Sequence, residues 1–195
     1  IWQLSGGYFV CGFTTNIISM HFVPYAQDKE FSLSVASIAF GLMMGINGIG
    51  VIAAGALSDR FGGKNVLATV YAMRGAAYGV LLLAPGGWGI WGFACVAGFS
   101  WIATAPLTTS LTADIYGLKN LGTLTGVAFM GHQFGGAISV LMASLIYDST
   151  QSYTIPFTAC AILLVFASMI AFSIRERRYS VKFQAQTDLQ PHTMT

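Results

Sequence analysis

Charge is what this sequence has least of. Asp, Glu, Lys and Arg make up 8% of its 195 residues, against about 25% in soluble domains, while hydrophobic residues make up 55%. A soluble fold of this length cannot hide that much apolar surface. The acids number 7, and none falls inside a long apolar run. No paired carboxylates for acid–base chemistry therefore lie within those runs, and no ring of like charges suggests a channel filter. Cysteine is scarce too. Cys11, Cys95 and Cys160 are odd in number, lack metal-ligand spacing and sit in apolar runs, so they read as small apolar residues. There is no nucleotide-binding glycine loop and no Ser-His-Asp set on one level. The chain is not expected to be an enzyme, and no catalytic residue, cofactor or metal is assigned.

What is present is six long apolar segments, at about 4–23, 34–57, 66–83, 88–113, 123–147 and 155–174. About 20 helical residues cross the ~30 Å hydrocarbon layer. Backbone in lipid must satisfy its own hydrogen bonds, so such runs are helices. A barrel is excluded because its strands alternate apolar and polar over about ten residues, which these runs do not. The expected fold class is an all-α membrane protein, with residues 1–174 as one six-helix bundle and 175–195 as a polar, disordered tail.

The bases fix the orientation. Arg60 and Lys64 lie in the second connection, Lys119 in the fourth, and Arg175, Arg177, Arg178 and Lys182 in the tail, while the other three connections hold only Lys29. Positive residues favour the cytoplasmic side, so both ends are expected there, in a bacterial inner membrane. The chain starts at Ile1, almost directly on a membrane segment, with no basic region, cleavage site or initiator Met. It is expected to be a piece of a longer protein.

The connection Gly55-Ala56-Leu57-Ser58-Asp59-Arg60-Phe61-Gly62-Gly63-Lys64 holds an acid, two bases and three glycines. It fits Gly-x-x-x-Asp-Arg-x-Gly-x-Lys and resembles the signature loop of the major facilitator superfamily of secondary transporters. Gly63 departs, standing where that family usually has a second base. Gly6-Gly7-Tyr8-Phe9-Val10-Cys11-Gly12-Phe13, Tyr71-Ala72-Met73-Arg74-Gly75, Gly131-His132-Gln133-Phe134-Gly135 and Leu145-Ile146-Tyr147-Asp148 are similar to bacterial carriers grouped near the monocarboxylate and oxalate/formate transporters. The resemblance implies the second half of a twelve-helix carrier, helices seven to twelve, with the missing six-helix half as a partner. It implies that Gly55, Asp59, Arg60, Gly62 and Lys64 form a cytoplasmic gating loop, Asp59 and Arg60 being a latch that breaks as the halves rock. Each half of such a carrier is a three-plus-three inverted repeat. At an offset of 86 residues Gly6 meets Gly92, Gly12 meets Gly98, Phe13 meets Phe99, Gly45 meets Gly131, Asn47 meets Gln133 and Gly50 meets Gly136.

Several polar side chains stand near mid-membrane. Arg74 lies about ten residues from the cytoplasmic end of the third segment, or ~15 Å deep at 1.5 Å per residue. Arg costs roughly 2.5–3.5 kcal/mol there on insertion scales. It reads as an anion-binding group or, equally, as a structural Arg hydrogen-bonded between helices. His132 and Gln133 lie at similar depth on the fifth segment. His132 is a substrate ligand and proton acceptor, or a His satisfied by a neighbouring carbonyl or hydroxyl. Asn16 and Asn47 are substrate contacts or interhelical glue. Trp101 and Thr104 share the fourth segment with Pro106, which breaks its ladder, so they line a cavity or bond back to their own helix. The glycines at 41, 45, 48 and 55, with Gly131 and Gly135, read as close-packing stripes.

The function expected from these residues is a secondary active carrier moving a small organic anion, such as a monocarboxylate, by alternating access, with a proton. The alternatives are an efflux carrier for drug-like or neutral compounds and a membrane sensor built on a carrier fold. The partners are a small solute and the lipid bilayer, not nucleic acid.

Overall fold

The computed structural model describes residues 1–174 and 176. Seven helices follow in order: α1 Trp2–Asp28, α2 Leu33–Phe61, α3 Gly63–Leu83, α4 Gly87–Ser100, α5 Thr104–Tyr116, α6 Leu121–Thr150 and α7 Thr154–Ser173. No strand occurs among the described residues. The expected disordered tail falls on 175 and 177–195, outside the described residues.

Six apolar segments become seven helices because the fourth is broken. Trp101–Ala103 is a turn between α4 and α5, placed by Pro106, which lacks the N–H that would bond Ile102. Gly87–Tyr116 still counts as one span of 30 residues, and α2, α3, α6 and α7 are also long and apolar enough to cross a membrane. The 27-residue α1 does not reach that hydropathy, since Thr14, Thr15, Asn16, Ser19 and His21 dilute it. It is nonetheless heavily buried by its neighbours, with Thr14 and His21 buried, Thr15 and Asn16 half-buried and Ser19 exposed.

The connection after α2 is far tighter than the sequence suggests. Helix α2 runs through Ser58, Asp59, Arg60 and Phe61, and a single residue, Gly62, separates it from α3. Gly62 has φ 92°, a left-handed backbone that glycine adopts without a Cβ penalty. The charged stretch is thus the last turn of one helix and the first of the next.

Helix α1 packs mainly on α6, α2 on α4, and α3 on α7. This is the pairing an inverted repeat demands, since exchanging the halves turns α1–α6 into α4–α2 and leaves α3–α7 unchanged. The close approaches follow the same symmetry. A Cβ on Gly12 would run into the His132 carbonyl, and one on Gly98 would come within 2.7 Å of the Met43 carbonyl and 3.3 Å of Cβ of Ile46. The 86-residue offset relates Gly12 to Gly98 and also Ile46 to His132. The aromatic centre joins four helices: Phe22 stacks on Phe93 at 5.6 Å, and Tyr78 meets Phe93 at 5.4 Å and Phe157 at 5.9 Å. At the other extreme, α2 and α6 are the least covered long helices.

Candidate polar interior and helix break

The break between α4 and α5 frees backbone groups inside the bundle. The Trp101 N–H turns to the Gly98 carbonyl at 3.3 Å, and the Ala105 N–H to the Ile102 carbonyl at 2.9 Å. The carbonyls of Ser100 and Trp101 and the N–H of Ile102 thereby lose regular helical partners. A buried polar group left unpaired costs about 1–3 kcal/mol. Two side chains named from sequence take these groups up. The Arg74 Nη2 donates to both Ser100 O and Trp101 O. Asn47 Oδ1 accepts the Ile102 N–H at 2.9 Å.

Arg74 is fully buried. Its Nη1 also donates to Thr15 Oγ1 at 3.3 Å and Cys11 Sγ at 3.4 Å, and its Nη2 reaches Thr104 Oγ1 at 3.5 Å. The guanidinium stands 5.7 Å from the Trp101 ring centre, within cation–π range. Only Nε lacks a partner among the described residues. A carboxylate-free pocket at this depth thus holds a cation through carbonyls, hydroxyls, a thiol and a ring. Trp101 and Thr104 are buried in the same cluster.

His132 and Gln133 face elsewhere. His132 is half-buried and Gln133 exposed, and the two are 3.2 Å apart through Nδ1 and Oε1. The imidazole packs on Tyr8 at 4.9 Å and lies parallel to Phe129 at 5.6 Å. Those two rings form part of the wall of a cavity of about 320 Å³ between α1, α5 and α6, together with Thr108, Thr109 and Thr125. Thr108 Oγ1 is buried there without a hydrogen-bond partner among the described residues. Cys11 lies between the two groups, bonded to Thr104 Oγ1 at 2.9 Å and also interacting with His132. Asn16 instead donates to the Gly12 carbonyl of its own helix at 2.9 Å and covers Gly136.

The structure therefore brings Arg74, Asn47, Trp101 and Thr104 together at the break and packs His132 against Tyr8 and Phe129, two rings of the hydroxyl-lined cavity, with Gln133 exposed beside it. Asp59 and Arg60 are exposed on the last turn of α2 and Lys64 is half-buried at the start of α3, with Gly55 one turn earlier in α2. Sequence reasoning passed over Tyr8, Cys11 and Thr15. Their signal was positional: Cys11 and Thr15 are four apart on one helix face. His21 is buried and lies 3.4 Å from Tyr153 Oη and 3.3 Å from the Val140 carbonyl.

Apolar helices paired by inversion thus enclose a buried guanidinium and several buried hydroxyls, the architecture of a membrane-embedded helical bundle. The family model of the Major Facilitator Superfamily matches residues 4–193, and the chain belongs to that superfamily. It is 30% identical over 171 residues to an uncharacterised transporter of this type, YcxA of Bacillus subtilis, covering 84% of this chain and 41% of that protein. It is 29% identical to monocarboxylate transporter 12 of Mus musculus, covering 80% and 33% respectively. Matches at 26% identity include a gentisate transporter of Corynebacterium glutamicum and the multidrug resistance protein MdtH of Yersinia pestis. The crystal structure of the transporter FucP in its outward conformation superposes with a TM-score of 0.71 at 20% identity, covering 88% of this chain and 41% of that one. The chain thus spans between about one third and two-fifths of the length of these relatives.

Proposed function

We propose that this chain is the helix seven-to-twelve half of a secondary active carrier that moves a small organic anion by alternating access, with both ends cytoplasmic. The observation that carries the substrate class is the half-exposed His132 packed on Tyr8 and Phe129, two rings that wall a cavity together with three threonines. Hydroxyls donate to a carboxylate, the rings accept its apolar body, and a protonated imidazole supplies the compensating charge. No acid among the described residues lies on that wall to repel an anion. His132 is the proposed proton acceptor, with Gln133 beside it. Arg74, Asn47, Trp101 and Thr104 serve the same site by fixing the helix break that shapes its wall, and Asn16 by lining the contact of α1 with α6.

The missing half is the proposed partner of α2 and α6. Cβ atoms on Gly41, Gly45, Gly48, Gly55, Gly122 and Gly126 would meet nothing within 4 Å. These helices therefore offer bare backbone on which other helices pack closely.

The test is uptake of labelled lactate and gentisate by the intact carrier in proteoliposomes with an imposed pH gradient. Accumulation driven by inward protons, abolished in His132→Ala, is the expected result. A second reading, efflux of drug-like compounds, is favoured by the relation to MdtH. It predicts no carboxylate uptake but outward movement of a hydrophobic dye. Specific binding without flux in either direction would instead indicate a sensor.

A further inference from the structure

The α2–α3 turn is joined to the far end of the chain by a side chain that the signature pattern does not include. Glu176 follows the last helix, and its carboxylate is buried at 4% exposure. Oε1 accepts the Gly63 N–H at 2.9 Å and Oε2 accepts the Lys64 N–H at 3.1 Å. These are two of the unpaired donors at the start of α3, and a carboxylate is favoured at that positive helix end. A second tether runs beside it, from Lys64 Nζ to the Phe172 carbonyl at 3.4 Å. Deeper in the same contact, Ser168 Oγ donates to Ala68 O at 2.9 Å.

The glycines of the turn fit this carboxylate. A Cβ on Gly62 would stand 3.2 Å from Glu176 Oε2, on a backbone whose φ already disfavours other residues. A Cβ on Gly63 would lie 3.3 Å from Leu111 Cδ1 and 3.5 Å from Glu176 Oε1. A long base at Gly63 would have to leave past the carboxylate and Leu111.

We infer that Glu176 is the positioning residue of the cytoplasmic turn: its carboxylate clasps the N-terminus of α3 and so holds Asp59 and Arg60, one turn away on α2, where they meet the rest of the carrier. Only Gly62 separates α2 from α3, so fixing the start of one helix fixes the end of the other. The clasp makes the exit of α7 part of the cytoplasmic closure. The functional half of this inference rests on the carrier reading above, whereas the clasp itself does not.

The experiment uses the intact carrier with Glu176→Gln and Glu176→Asp. Gln keeps one good acceptor without charge, and Asp keeps the charge but is too short to reach both amides. Two quantities are read. The first is hydrogen exchange at the Gly63 and Lys64 amides. The second is labelling of Thr125→Cys, in a Cys95→Ser background, by a membrane-impermeant maleimide from the cytoplasmic side. Exchange is expected to rise at least tenfold in the Gln variant and less in the Asp variant, with labelling faster by threefold or more. Unchanged exchange overturns the clasp. Faster exchange with unchanged labelling reduces Glu176 to a local helix cap and overturns the positioning role. Should the Gln variant not reach the membrane, the Asp variant decides by the same two readings. Absence of lactate and gentisate uptake by the wild-type carrier counts against the carrier reading alone and leaves the exchange result to stand.

Discussion

Arg74 and Asn47 act on backbone. Arg74 supplies the donors that the Ser100 and Trp101 carbonyls lose at the helix break, and Asn47 the acceptor that the Ile102 N–H loses. Asn47→Ala should therefore lower the unfolding free energy by about 1 kcal/mol, the net worth of one hydrogen bond at a partly exposed N–H, measured by thermal unfolding in detergent. Arg74→Ala should cost at least as much, because two carbonyls lose a donor. Arg74→Lys should recover only part, since an ammonium lacks the planar fork that spans two acceptors. If Arg74 served a solute alone, both variants would unfold at the wild-type temperature and differ only in uptake. His132 makes the opposite case, with no backbone group bonded to its ring. His132→Ala should flatten the pH dependence of uptake while leaving the unfolding midpoint within a few degrees.

At the scale of elements, the close crossings of α1 on α6 and α2 on α4 divide the glycines into two kinds. A Cβ at Gly12, Gly50 or Gly135 collides with the backbone of His132, Phe99 or Phe9. Gly12→Leu and Gly50→Leu should prevent the helices from closing, read as loss of folded carrier on size-exclusion chromatography. Gly41→Ala and Gly45→Ala meet open space within this chain. They should leave its folding intact and, if the proposed other half packs there, reduce uptake by several-fold. The turn at Gly62 belongs to this scale too. The charged decapeptide reads in the sequence as a loop, yet only Gly62 leaves helical geometry. Glycines and charges mark a breaking point without saying how many residues it needs.

For the whole molecule, the inverted repeat decides what is inside. The chain shares its fold with FucP across 88% of its length, and its two least covered long helices, α2 and α6, are the pair that the repeat exchanges. Their exposed residues include Ile38, Ile49 and Ile52 on one and Phe134, Ile138 and Leu141 on the other, more than a lone bundle leaves uncovered without a partner or lipid. Cysteines introduced at Gly45 and Gly126 in the intact carrier should cross-link to its other half, and the yield should change when solute is added. A yield that solute never alters would argue against rocking of the two halves.

Run length and the near absence of charge in the runs determined the helices, because lipid offers the backbone no other partners. The bases beside those runs determined the proposed orientation, and the loop pattern determined the superfamily. Pro106 announced the break in the fourth segment. What the sequence left open was direction. A helical residue at a given depth faces any of several neighbours, and only packing selects one. Depth alone put Arg74 and His132 on one level. Packing turned Arg74 onto the backbone at the break and left His132 beside Tyr8 and Phe129. Glu176 was hidden for a related reason. It lies 113 residues from Gly63 along the chain, and no local pattern links a glycine turn to an acid so distant. Their meeting depends on α3 and α7 packing side by side.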